Sequence, residues 1–442
     1  MKIFLILIFF LFFTGCSFDD KSGIWNNENN ISKNNEEKVF KDFKKIISSK
    51  KTFNKVLPID KKFEFDINKP FQNKSWLDIF YNRNNKGENF KFSNIKQTTF
   101  KTKKLSRSQV NSFIFYDKDN LIFSDQKGNI IIYSIENDLI ISKINFYKKK
   151  FKNIKKFLNL IVENKIIYIT DNIGYVYAYN YEKDQILWAK NFKVPFRSNL
   201  KLLGDKLIAS NQNNDLLILD KLTGNTIKLI PTEQTTINNH FVNNIALSDQ
   251  DIFFLNTYGS LYAIEKNDLR LKWFINLNEN NLANANNFFY GNPIIYYNDR
   301  IVASSNNNLY IFDSQTGTII NKSNISSLTK PILTNKYIFL VTENNLLVSM
   351  NLMNGEIIYS TDIEQKVSDF INYKKKNLDI KNIFLVNDSI FILLKNSHII
   401  NFSLKGDINE IFKLPSKMII DPIFVDNSIL YLNNKNRLIV FN

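Results

Sequence analysis

The sequence predicts an all-β protein: an eight-bladed β-propeller of four-stranded antiparallel blades, closed by an N-terminal strand and preceded by a signal peptide and a flexible tether. Three observations carry this expectation. A tight-turn position recurs eight times, a second turn follows it ten residues later, and the apolar runs between turns have the length of short strands.

The first element is the leader. Residues 1–15 place one lysine, Lys2, ahead of an apolar run of 11 residues, Ile3 to Phe13. A spanning helix needs roughly 20, so the run reads as a secretory signal peptide. Thr14-Gly15-Cys16 resembles the lipobox of bacterial lipoproteins, with Phe13 where leucine is usual, and this implies lipidation of Cys16. The alternative is a plain signal peptide in which Cys16 is incidental. Ser17 stands where an aspartate often retains lipoproteins in the inner membrane, so the resemblance implies the periplasmic face of the outer membrane.

Residues 16–70 come next, rich in Asn, Lys, Ser and Glu from Phe18 to Leu57, with a short helix expected near Glu36–Ile47 and prolines at Pro58 and Pro70. They read as a lipid-anchored tether. The propeller is expected over 71–442.

Within it, the segment from Ile166 to Trp188 sets the grammar: apolar run, turn at Gly174, apolar run, turn at Lys183-Asp184, third run. The first turn falls at Gly128, Gly174, Asn214, Gly259, Asn307, Asn345, Asn396 and Asn436, spaced by about 44 residues on average. Gly and Asn share the position because a tight hairpin wants positive φ. The second turn falls at Asp138, Asp184, Gly224, Leu269, Gly317, Gly355 and Gly406. The chain ends after the third strand of the eighth unit, and the extended stretch Gln97 to Leu105 lacks a blade of its own. Donating it to the last blade closes the ring and hides two open edges.

Composition narrows the function. With one cysteine and two histidines, His240 and His398, there is little material for thiol, metal or histidine chemistry. The net charge of +16 comes overwhelmingly from lysine, since only six of the 58 basic residues are arginine. Those lysines scatter through loops, the pattern of solvated charge and not of a nucleic-acid face. Asp117/Asp119, Asp249/Asp251 and Asp362 sit where turns need them. No catalytic, metal-binding or cofactor-binding residue is expected, and the chain reads as a non-enzyme.

Gly259-Ser260-Leu261-Tyr262-Ala263-Ile264 and Gly174-Tyr175-Val176-Tyr177-Ala178-Tyr179, each followed by a tryptophan four residues beyond the second turn (Trp273, Trp188), resemble the repeat of PQQ-like propellers. In that superfamily the tryptophan packs between blades. A lipoprotein carrying one such propeller resembles the BamB family of outer-membrane protein assembly factors; Trp76 with Gly87-Glu88-Asn89 is similar to that family's opening motif. The resemblance implies a scaffold that docks on the periplasmic domains of the barrel-forming subunit of the β-barrel assembly complex and aids insertion of unfolded outer-membrane proteins. Val194-Pro195-Phe196-Arg197 resembles its docking element, which assigns Phe196 and Arg197 to partner binding. Asn238-Asn239-His240 stands where the family carries acidic residues, a departure. Two other readings stay open: a PQQ-dependent oxidoreductase, and a lipoprotein binding a ligand or envelope polymer in its central channel.

Overall fold

The computed structural model describes residues 52–234, 241–278, 289–305, 307–374 and 376–442. The signal peptide, Cys16, most of the tether and His240 lie outside the described residues.

Among the described residues the strands form eight four-stranded antiparallel sheets. Seven are built from consecutive strands, over 110–145, 158–191, 201–230, 244–276, 295–323, 332–362 and 380–413. The eighth takes three strands from 423–441 and its outermost strand from Thr98–Lys101. That strand runs antiparallel to Leu438–Phe441 with Phe100 opposite Val440, so the ring closes as the sequence predicts.

Burial explains why the inner strands read as continuous apolar runs. Each blade is packed between two neighbours, so a middle strand such as Asp251–Leu255 is buried on both faces. The outermost strands, such as Leu139–Asn145 and Gln185–Asn191, are largely exposed and mix lysine with isoleucine and leucine. The strand order gives the ring two faces. First-to-second and third-to-fourth strand turns lie on one, the turn face. Second-to-third strand turns and the connections between blades lie on the other, the loop face.

Loop-face turns repeat one device. The side-chain oxygen of Asp171 accepts hydrogen bonds from the backbone N–H groups of Ile173 and Tyr175 at 2.9 and 2.8 Å, and Asn211 and Asn256 do the same two and four residues on. This Asx turn fixes the left-handed residue three positions after the Asx. That residue is Gly128, Gly174, Asn214, Gly259 and Asn436, as the spacing predicts, and Asn345 holds the same place after Thr342, whose Oγ1 accepts from Leu346 N–H at 3.1 Å. In the seventh blade it is Ser397 (φ 68) and not Asn396, whose side-chain oxygen instead accepts from the N–H of His398. The long interval before this turn holds an α-helix, Ile363–Ile371, which Asp362 caps by accepting from Gln365 N–H at 2.9 Å.

The end of the expected tether is bound to the ring. Leu57 exchanges backbone hydrogen bonds with Ser360 on the outer strand of the sixth blade, adding one rung to it. Phe63 and Phe65 pack edge-on against Tyr337, and Phe65 also meets Phe339 and Tyr359. Residues 52–70 are therefore no slack spacer: their aromatic side chains fill a groove of the propeller instead of facing water.

Candidate functional site

Two places gather polar side chains that the strand ladder does not need: the central channel and the loop face around the third and fourth blades.

The channel is closed from the turn face by residues 73–90, which make a full circuit of the ring. Asn73 O accepts from Asp426 N–H, Trp76 exchanges two bonds with Tyr116, and Leu77 O accepts from Val162 N–H. Arg83 O then takes Leu247 N–H, Asn84 O takes Tyr296 N–H, and Phe90 N–H donates to Leu385 O. Lysines complete the circuit: Lys201 Nζ bonds Asp78 Oδ2 at 2.6 Å and Asn82 O at 2.9 Å, and Lys330 Nζ bonds Asn85 O at 2.8 Å. Asn85, fully buried, spreads its amide to Asn244 Oδ1, Ile245 O and Ile294 O. One chain segment thus contacts the innermost strands of every blade. The expected opening motif, Trp76 with Gly87-Glu88-Asn89, is part of this plug, and Trp76, Tyr81 and Phe90 cluster with centroids 4.9 to 5.2 Å apart.

Above the plug, towards the loop face, a cavity of about 400 Å³ remains. Its polar groups include Lys330, Thr329, Asn292, Glu88, Lys381, Asn382 and Asp421. Two of its carboxylates are held by lysines, Glu88 by Lys86 at 2.8 Å and Asp421 by Lys381 at 3.2 Å. Among the described residues no group of three or more His, Cys, Asp or Glu gathers as a metal site. A quinone paired with a calcium ion needs free carboxylate oxygens, and the channel carboxylates face ammonium groups instead. The residues present do not fit that pair.

On the loop face, the connection Phe192–Leu200 carries the expected docking residues. Phe196 is 3% exposed and belongs to the core between the second and third blades, edge-on to Phe192. Its ring is spent on packing, and its backbone N–H is tied to Asp171 O at 2.9 Å. Arg197 is half-buried beside it, its N–H bonded to Ser210 O at 2.9 Å, and burial pushes its guanidinium below the usual value. The two residues are adjacent but do different things, one seating the loop and the other presenting a cation.

The neighbouring surface is an asparagine network that the sequence did not flag. Asn243 donates to Ser210 Oγ and Asn211 O, and accepts from Thr257 N–H; Thr257 Oγ1 donates to Asn214 Oδ1 at 2.7 Å. Asn214 in turn donates to Glu233 O at 2.7 Å. Although partial burial pushes the Glu233 carboxyl up, hydrogen bonds from Tyr262, Asn256 and Ser260 hold it below its ordinary value. A carboxylate thus stands in the loop after the third blade, close in sequence to where the family pattern calls for acid. The signal was a single glutamate ahead of the asparagines. Asn238, Asn239 and His240 lie outside the described residues.

Outer-strand side chains join neighbouring blades. Trp188 Nε1 donates to Lys221 O of the next blade at 3.0 Å, and Trp273 Nε1 to Ser314 O at 3.0 Å. Each indole lies over a turn glycine of that blade: a Cβ on Gly224 would meet Trp188 at 2.5 Å, and one on Gly317 would meet Trp273 at 2.7 Å. Both glycines also sit at positive φ, so nothing larger fits. The tryptophans pack between blades, as expected.

This arrangement defines the class, an eight-bladed propeller of the PQQ-like type. Residues 149–361 match the family model described as outer membrane protein assembly factor BamB. Among solved structures, BamB from Moraxella catarrhalis is similar at 15% identity and a TM-score of 0.60, with 79% of this chain and all of that chain (100%) covered. The quinohemoprotein alcohol dehydrogenase of Comamonas testosteroni is similar at 8% identity and a TM-score of 0.60, covering 83% and 80%. The computationally designed protein Ika8 is similar at 10% identity and a TM-score of 0.58, covering 78% and 99%. At such identities these likenesses concern the fold alone. No curated protein matches the sequence.

Proposed function

We propose that the protein is a non-catalytic scaffold lipoprotein of the outer-membrane β-barrel assembly machinery, anchored through Cys16 on the periplasmic face of the outer membrane. It docks on the periplasmic domains of the barrel-forming subunit and aids insertion of outer-membrane proteins. The observation that carries this reading is the family-model match across blades two to six, 149–361, which includes the Arg197 loop. The loop face supports it: Arg197 stands half-exposed on a rigid frame, with the exposed apolar side chains of Val242 (46%) and Phe157 (53%) on neighbouring connections. A cation among apolar groups on an ordered surface is the composition of an interface centre.

Photo-cross-linking in whole cells tests it. A cross-linkable residue at position 197 captures a barrel-assembly subunit, and the same residue at Leu222, on a turn of the opposite face, does not. Absence of any assembly subunit from the 197 adducts overturns the reading. Arg197→Ala lowers co-purification with that subunit without changing the melting temperature, whereas Phe196→Ala lowers both. Substitution of Cys16 by Ser releases the protein from the membrane fraction.

A further inference from the structure

The cavity above the plug holds a charge that the fold leaves unbalanced. Its surroundings contain four lysines. Lys86, Lys201 and Lys381 each face a carboxylate: Glu88, Asp78 and Asp421 at 2.8, 2.6 and 3.2 Å. Lys330 is the exception. Its ammonium meets a backbone carbonyl, Asn85 O at 2.8 Å, and the Phe80 ring with the centroid 6.0 Å away, but no carboxylate among the described residues. Thr329, beside it on the cavity wall, is 6% exposed, and its hydroxyl has no hydrogen-bond partner among the described residues. A cation without a counter-ion and an idle hydroxyl, side by side in a low-dielectric site, are costly unless something else satisfies them.

The rest of the wall says what that something is. Trp76, Phe80, Phe113, Phe384, Ile332 and three prolines, Pro293, Pro331 and Pro422, surround the space. About 400 Å³ is within the range of small-molecule sites. An apolar body with a single acidic group matches such a wall, whereas a polyanion does not, because the remaining lysines are already neutralised.

We propose that the loop-face half of the central channel binds a small amphipathic carboxylate, its carboxylate taken by Lys330 Nζ and Thr329 Oγ1 and its apolar body by the aromatic wall. The site is independent of docking through Arg197, which lies on a loop outside the channel wall. Titration is consistent with an absent partner: burial, then Lys201 and Lys86 against the opposing pull of Asp78, pushes the Lys330 ammonium down to about 8.

The test uses the intact protein with 4-phenylbutyrate and its neutral isostere 4-phenylbutyramide, followed by calorimetric titration and thermal melting. The expected result is saturable binding of the acid, a melting temperature that rises with its concentration, and affinity for the amide weaker by at least about tenfold. Lys330→Met removes the preference for the acid and, without ligand, melts no lower than the wild type, because a half-buried cation that faces no carboxylate among the described residues is gone. Thr329→Val, which keeps the charge, weakens the acid several-fold and serves should the first variant not fold. Equal affinity for acid and amide overturns the proposal, as does absence of saturable binding or an unchanged preference in Lys330→Met. The cross-link from position 197 is unaffected by any of these outcomes, so the two readings fail separately.

Discussion

Two parts of the ring are held together by different means. From the second blade to the sixth, neighbouring sheets are joined by the outer-strand residue four positions after the second turn. Trp188 and Trp273 lie on turn glycines, Lys228 Nζ donates to Leu269 O at 2.7 Å, and Asn321 donates to Asn354 O at 3.3 Å. Around the closure, blades seven, eight and one share a core into which the N-terminal segment inserts Trp76, Phe90 and Phe92. Phe90 stacks on Phe424 with centroids 5.5 Å apart. The first region is stabilised by local, repeated contacts, each between sequence neighbours. The second depends on a segment that arrives from the far end of the chain. The repeat is regular where it supports itself and degenerate where the plug supports it.

The largest effect is expected in the plug. Lys201 is fully buried and Asp78 nearly so, at 0% and 7% side-chain exposure. Asp78→Ala strands a buried ammonium, and breaking such a pair from one side costs about 3–5 kcal/mol. Asp78→Ala combined with Lys201→Met recovers most of that loss, since no orphan charge remains. Chemical denaturation of the two variants decides. If the double variant is as unstable as the single one, the plug acts through backbone pairing alone.

Next come the blade junctions. Trp188→Ala removes a partly buried indole and its bond to the following blade, and is expected to cost about 2–4 kcal/mol. The equivalent position in the first blade is Ser142, whose hydroxyl meets Tyr179 at 2.8 Å and Asp184 at 3.3 Å. Ser142→Ala is expected to cost no more than about 1 kcal/mol. A similar loss in both would mean that the junction position, and not the aromatic ring, sets the coupling.

Much of this was legible in the sequence and some was not, for physical reasons. Blade number, turn positions and the donated strand could be read because hairpin geometry restricts Gly174 or Asn214 to few residue types. The tryptophans could be read because their spacing from the turn is fixed. The plug could not, because its contacts are a few scattered hydrogen bonds to each of eight blades and leave no periodic trace between Asn73 and Phe90. The binding of residues 52–70 escaped for a related reason: Phe63 and Phe65 alternate like a strand, but only one rung of pairing, at Leu57, marks where they lie. The burial of Phe196 was not legible because motif position says nothing about which way a ring turns. Lys330 gave no signal, since only the assembled ring shows that the other channel lysines have carboxylates and that it faces none among the described residues.

A smaller, pH-dependent difference follows from the tyrosines. Burial, with Glu88 adding repulsion, pushes Tyr81 in the plug up from 10.0 to about 12. Burial and the hydrogen bond to Asp184 push Tyr179, at the first junction, up to about 12 as well. A raised phenol pKa in the folded state means stability fully present below pH 10 and lost as pH rises from there through about 12. Stability should therefore fall above pH 10, with phenolate absorbance appearing together with the loss of tertiary circular dichroism. Tyr81→Phe and Tyr179→Phe each flatten that fall by a similar amount. Absorbance rising well before the fold is lost would show these phenols to be open to solvent.

The smallest effect belongs to the last junction of the ring. Glu410 occupies in the seventh blade the position that Trp188 holds in the second, and it pairs with Lys96, just ahead of the closing strand. The pair is partly exposed, 41% at Lys96 and 22% at Glu410. Surface pairs of this kind contribute about 0–1 kcal/mol and less in salt. Glu410→Ala should therefore shift the denaturation midpoint barely at all, and not at all at high ionic strength. The closure tolerates this because the backbone rungs of Thr98–Lys101 and the rings of Phe92 and Phe441, 6.2 Å apart, already hold the eighth blade to its neighbours. A loss comparable to Trp188→Ala would show instead that closure rests on side-chain junctions throughout, and would erase the distinction between the two halves of the ring.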